Sequence, residues 1–211
     1  LMIVSVMLMS VLTGLIYSAL LGVAAIHFKA DQTIIGTALN MLGLAAATVI
    51  VKAINITANP DDVSSNVQYI AAKKSLIVNF GGFEFNWFML VAVLCLVISY
   101  VVLYKSTFGL RLRSCGENPQ AADSLGINVY RMRYAGTTIS GALAGMGGFV
   151  YALTTTNCTA NGDVAGFGFL ALAVMIFGNW KPLNIAGASL LFGLFKCIAA
   201  AYPSIDINGD G

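Results

Sequence analysis

Long apolar runs separated by short polar segments organise this chain. Residues 2–26 carry no charge, and at about 1.5 Å per residue a helix of that length exceeds the roughly 30 Å hydrocarbon core of a bilayer. A spanning helix is predicted there; the run is too long, and lacks the basic flank, for a signal peptide. A second span is expected over 33–54, after a polar turn at 27–32. A third is expected over 87–104, with Trp87 and Tyr104 placed at its ends as interface anchors. The fourth covers 134–153. The run 167–177 is too short to cross as a helix; it breaks at Gly178-Asn179-Trp180-Lys181-Pro182-Leu183-Asn184 and resumes over 185–202. The pattern predicts an all-α, multispanning helical bundle forming a single membrane domain over 1–211.

The polar segment 105–133 is set between two of these runs and holds five of the eleven Lys and Arg residues. Basic residues near span ends favour the cytoplasm, so this segment is placed inside. Counting back puts the turn 27–32 inside and the polar segment 55–86 outside. Within 105–133, Asn118-Pro119 followed by Gln-Ala-Ala-Asp-Ser-Leu has the form of a helix start with Pro at the first helical position, and Gly126 has the form of its stop. A short cytoplasmic helix is expected, within reach of a soluble partner.

Composition excludes other classes. The chain is 58% hydrophobic and only 9% charged, with a mean hydropathy of +0.85, against roughly 25% charged in soluble domains. A net charge of +2 with basic residues at span edges argues against a nucleic-acid partner. Cys95, Cys115, Cys158 and Cys197 lie far apart with no metal-site spacing, so no metal or cofactor is expected. No phosphate-cradling G-x-x-x-x-G-K-[ST] loop occurs, and any ATP-derived energy has to come from another subunit. His27, the one histidine, is read as a solvated loop residue at a span end. The predicted span interiors hold no Asp or Glu, which argues against a pump built on buried carboxylates. Asp206-Ile-Asn208-Gly-Asp210-Gly211 fits the first part of a calcium loop but lacks the bidentate Glu and outgoing helix, so a polar turn is expected. The sequons Asn55-Ile-Thr57 and Asn157-Cys-Thr159 are discounted.

Three features bear on how the spans pack. Gly136, Ser140, Ala144 and Gly148 recur every four positions in the fourth span, and Gly141 with Gly145 makes a second such row. In lipid such rows let helix backbones approach closely, so this helix is expected inside the bundle. The break at Gly178-Asn179 is read in two ways: as a discontinuous helix beside a transport pathway, or as an interfacial loop with Trp180 and Lys181 at the cytoplasmic surface. Asn40 lies mid-span, where an unpaired amide is costly; it is expected to face the bundle interior or a pathway, bonding either a neighbouring helix or a solute.

Gly109-Leu, Arg111, Arg113, Gly116-Glu117-Asn118-Pro119, Ala121-Ala122, Gly126-Ile-Asn and Ser140-Gly-Ala-Leu-Ala-Gly145 resemble the permease subunit of bacterial ABC importers for simple sugars, nucleosides and branched-chain amino acids, the nucleoside permeases most nearly. Lys29-Ala-Asp31-Gln32 with Ala38-Leu-Asn40-Met41-Leu42, and Gly168-Phe-Leu-Ala-Leu-Ala with Gly178-Asn-Trp180-Lys-Pro182 and Leu190-Leu-Phe-Gly193, are similar to the same group. The resemblance implies a multi-pass protein of the bacterial cell membrane that performs no covalent chemistry and moves a nucleoside or related small polar solute inward. It implies cytoplasmic ATPase subunits, a second permease subunit and an extracytoplasmic solute-binding protein as partners. Arg111, Arg113, Glu117, Asn118, Pro119, Ala121, Ala122 and Gly126 would then dock the ATPase, with Ala121 and Ala122 permitting close approach, and Asn40, Gly178 and Asn179 are the pathway candidates. The alternatives are a sugar or branched-chain amino-acid permease, a secondary transporter, or a membrane scaffold. Permeases of this group carry spans beyond both ends of this sequence, and an internal fragment is expected.

Overall fold

A computed structural model describes residues 2–58, 60, 77–80, 83–154 and 166–201. The turn signals at Asn59-Pro60 and Gly81-Gly82, the second sequon with Cys158, and the calcium-loop match fall wholly or partly outside the described residues. Eight α-helices and one short hairpin follow one another: α1 Met2–Gly22, α2 Gln32–Ala58, β1 Ile77–Phe80, β2 Phe83–Asn86, α3 Trp87–Lys105, α4 Thr107–Glu117, α5 Pro119–Ser124, α6 Val129–Thr154, α7 Phe167–Phe177 and α8 Pro182–Ala201. A π-helical turn, Val23–His27, extends α1. Among the described residues four helices, α1 with its π turn, α2, α3 and α8, are long and apolar enough to cross a membrane. The all-α membrane bundle expected from the hydrophobic pattern is the observed class.

Two departures from the predicted elements have local causes. The polar segment 55–86 contains an antiparallel hairpin, Ile77 opposite Asn86 and Phe80 opposite Phe83, and α2 runs on to Ala58 before it. Residues 107–117, read as loop, form α4. The Ser106 hydroxyl donates to Val102 O (2.6 Å) and accepts from Gly109 N (3.1 Å), ending α3 and capping α4 with one side chain. The amphipathic spacing Phe108, Leu112, Cys115 then gives α4 a sheltered face, with Cys115 only 4% exposed.

The described chain divides into two compact units, one of residues 1–92 with 102–163 and the other of 93–101 with 164–211. In the first, α1 packs along α6 through small residues. Gly14 faces Gly145, whose Cα lies 3.1 Å from where a Cβ on Gly14 would be. A Cβ on Gly141 would lie 2.6 Å from Gly14 O, and one on Gly145 would meet Ser10 O. Ser10 Oγ donates to Gly145 O at 2.7 Å, a side-chain bond between helices of the kind that substitutes for water inside lipid. Of the two predicted rows on α6, the Gly141/Gly145 row makes this contact. Gly136 instead faces Leu112 of α4, and a Cβ on Gly148 would meet nothing within 4 Å. α6 is 26 residues long, about 39 Å, but its Gly, Ser and Thr content keeps it out of the strongly apolar set.

In the second unit α7 and α8 form an antiparallel hairpin. The Phe177 and Phe192 rings meet edge-to-face at 5.9 Å, and Lys196 Nζ lies 3.2 Å from the centre of the Phe167 ring.

Candidate functional site: a capped surface helix and a cavity

The short helix α5 is defined at both ends by its own residues. Asn118 is its N-cap, its side-chain oxygen accepting from Ala121 N at 3.1 Å, and Pro119 occupies the first helical position, where a missing N–H costs nothing. At the far end Gly126 has φ +79°; its N–H bonds Asp123 O at 2.9 Å, and Ile127 N–H bonds Ala122 O at 3.1 Å. This pair of bonds closing over a left-handed glycine is the Schellman stop. Asn128 then opens α6, its side chain accepting from Arg131 N at 3.0 Å. Three consecutive turns are thus fixed within about ten residues by Asn, Pro, Gly and Asn.

The expected docking residues fall on different sides of this structure. Ala121 is exposed, as are Arg111, Arg113 and Glu117, and Arg113 stacks over the Tyr104 ring with Cζ 4.7 Å from its centre. Ala122 is 2% exposed. It is packed against the chain itself and holds α5 to the bundle. Ala121, Ser124 and Leu125 are exposed on the side away from the chain, Leu125 at 80%. A cavity of about 420 Å³ lies beneath α5, lined in part by Gln120 and Asp123 of α5, Lys29 after the π turn, and Tyr130 and Arg133 of α6. The 27–32 turn and α5 therefore sit at the same end of the first unit, as the distribution of basic residues requires.

A second cavity, of about 730 Å³, opens between α1, α2 and α6, within the roughly 300–1,000 Å³ usual for small-molecule sites. Its polar and aromatic walls come from Tyr17, Gln32, Asn40, Thr137 and Ser140, with Gly36 and Gly43 leaving room along α2. The lining runs from the end of α1 and the start of α2, at the α5 end of the unit, to the middle of α6. The Tyr17 hydroxyl donates to Leu39 O at 3.0 Å, and Gly43 permits that approach, since a Cβ there would stand 3.1 Å from the hydroxyl. Asn40 is exposed into the cavity and makes no side-chain hydrogen bond among the described residues; a structural bond to a neighbouring helix, one of its two predicted roles, is not formed. Tyr17 and Gln32 were not singled out from sequence, although Gln32 stood inside a motif. Their signal is three-dimensional: only helix pairing brings residues 17, 32 and 40 to one wall.

The break after α7 is a tight corner. Gly178 is buried, and a Cβ on it would lie 2.7 Å from Ile185 N and Cα. Asn179 and Trp180 both take left-handed backbone, φ +49° and +59°, an uncommon state for a tryptophan. Asn179, Trp180 and Lys181 are exposed. Asn40 and the pair Gly178-Asn179 fall in different units, and no shared site of the two is described. Among the described residues no cluster of His, Cys, Asp and Glu offers a metal site.

Small-residue packing, apolar spans and a short capped helix outside the spans are the features of a multi-pass membrane protein. Over residues 1–206 the sequence matches the family described as branched-chain amino acid transport system / permease component, and the chain belongs to that family. It is 39% identical over 202 residues to the guanosine ABC transporter permease protein NupQ of Bacillus subtilis, covering 92% of this chain and 62% of the relative. The same identity over 202 residues relates it to the nucleoside ABC transporter permease protein NupC of Lactococcus lactis subsp. cremoris, 91% of this chain and 62% of the relative. The putative glucose ABC transporter permease protein TsgC13 of Haloferax volcanii is 30% identical over 119 residues, 56% of this chain and 36% of that protein. The chain thus spans 62% of the length of the two nucleoside permeases. No solved structure matches it.

Proposed function

We propose that the chain is part of the transmembrane subunit of an ATP-driven importer of the plasma membrane that carries a nucleoside or related small polar solute into the cell. The observation that carries this reading is the identity to two nucleoside permeases over more than nine tenths of the chain, joined to a fully capped surface helix at the cytoplasmic end. In this reading α5 docks in a groove of a cytoplasmic ATPase through Ala121 and Ser124, while Arg111, Arg113 and Glu117 form a charged rim. Asn118, Pro119 and Gly126 fix its shape, and Ala122 roots it in the bundle. ATPase closure moves α5, and the packed helices behind it switch between two arrangements. A second permease subunit completes the pathway and an extracytoplasmic binding protein delivers the solute.

The test is Ala121→Arg in the full-length transporter. The bulky cation on the outward face should abolish uptake and solute-stimulated ATP hydrolysis while the subunit still inserts and folds. Normal uptake by this variant would overturn the docking assignment. Competition by glucose or leucine in place of nucleosides would move the solute class to the sugar or amino-acid branch.

A further inference from the structure

The cavity between α1, α2 and α6 holds polar groups that the protein leaves unsatisfied. Thr137 donates to the carbonyls of Arg133 and Tyr134, Ser18 to Leu15 O and Tyr17 to Leu39 O. The side chains of Gln32, Asn40 and Ser140, which also line the cavity, make no hydrogen bond among the described residues. A carboxamide at membrane depth is retained only where it meets protein, water or solute, and neither Gln32 nor Asn40 has a protein partner among the described residues.

We infer that this cavity is a solute-binding station in the cytoplasmic half of the pathway, and that Asn40 reads the hydrogen-bonding edge of a nucleobase. A carboxamide presents one acceptor and two donors side by side, the complement of the adjacent donor and acceptor on a purine edge. Tyr17 supplies the apolar wall that a flat base requires, its ring held by the hydroxyl bond to Leu39 O. Gln32 lies eight residues before Asn40, about 12 Å along α2, at the mouth nearest the turn; it meets the sugar hydroxyls. Gly36 sits between them, and a Cβ there would touch nothing within 4 Å, so the space it leaves belongs to the solute. The inference rests on the importer reading and adds the place and the chemistry of recognition.

Uptake of labelled guanosine and adenosine is measured in proteoliposomes carrying the full-length transporter with its ATPase and binding protein. Asn40→Leu should raise the KM for guanosine by about tenfold or more, the discrimination of one bidentate pair. Asn40→Asp presents two acceptors and should shift the guanosine-to-adenosine preference by about tenfold toward guanosine, whose edge offers adjacent donors. Gly36→Leu fills the cavity without a backbone clash and should stop uptake, whereas Gly147→Leu, equally unobstructed and outside the cavity lining, should not. Wild-type KM and wild-type base preference in both Asn40 variants would overturn the site while leaving the importer reading intact. A wild-type transporter that imports no nucleoside would overturn the importer reading and the ligand class with it.

Discussion

Gly109 shows how one missing side chain sets a corner. A Cβ there would stand on the Val102 carbonyl and 2.5 Å from Leu103 O, so α3 and α4 meet at this angle only with glycine. Gly109→Ala should destabilise the folded protein by about 1–3 kcal/mol, the usual cost of overpacking, read as a lower unfolding midpoint in detergent. Gly116, on the same helix, has open space around its Cα; Gly116→Ala should leave the midpoint unchanged or raise it, because alanine favours helix. Asp31 carries a second single-residue effect. Its carboxylate accepts from Thr33 N (2.8 Å) and Ile34 N (3.4 Å) at the start of α2, and these bonds hold its pKa below the ordinary 3.8. The cap is at full strength above the ordinary carboxylate range and is lost as pH falls through the lowered value. The protection of the Thr33 and Ile34 amides against exchange, relative to an unstructured peptide at the same pH, should therefore fall as pH drops below the ordinary carboxylate range, and Asp31→Asn should remove that dependence while keeping the cap.

At the scale of elements, the α1–α6 seam and the α7–α8 corner carry the packing. Gly145→Val would drive a branched side chain into the Ser10 carbonyl and the Val11 Cα, 3.2 Å from even a methyl position; this subunit should fail to accumulate in folded form. Gly148→Val has open space and should accumulate normally, as judged by size-exclusion recovery. Sequence spacing exposed both small-residue rows but not which one met a partner, since a repeat every four residues states a face and not its neighbour. The α5 caps were legible because Asn, Pro and Gly act through their own backbone bonds. α4 was hidden by its charges: Arg111, Arg113 and Glu117 made it look like loop, while Ser106 and the spacing of Phe108, Leu112 and Cys115 held the helical signal. For the corner, exposed Trp180 and Lys181 fit an interface better than the bilayer midplane. A cysteine in Lys181→Cys should react with an impermeant thiol reagent from the cytoplasmic side at the rate of one in Arg113→Cys. Protection from both sides would place the corner within the membrane.

At the scale of the molecule, family membership and the hydrophobic pattern were readable from sequence because both are written in local runs and ordered motifs. The cavity was not, because it exists only where three separated helices leave a gap, and burial alone distinguishes Ala121, facing outward, from Ala122, facing in. Those two alanines bear on the central proposal: a permease subunit moved from its cytoplasmic face by an ATPase pressing on α5. The most direct test is uptake of labelled guanosine into proteoliposomes containing the full-length transporter, with ATP or with a non-hydrolysable analogue inside the ATPase compartment. The account predicts uptake with ATP, none with the analogue, and none with ATP in Ala121→Arg although its ATPase subunits still bind nucleotide. Uptake that proceeds without hydrolysis, or that survives Ala121→Arg, would contradict it.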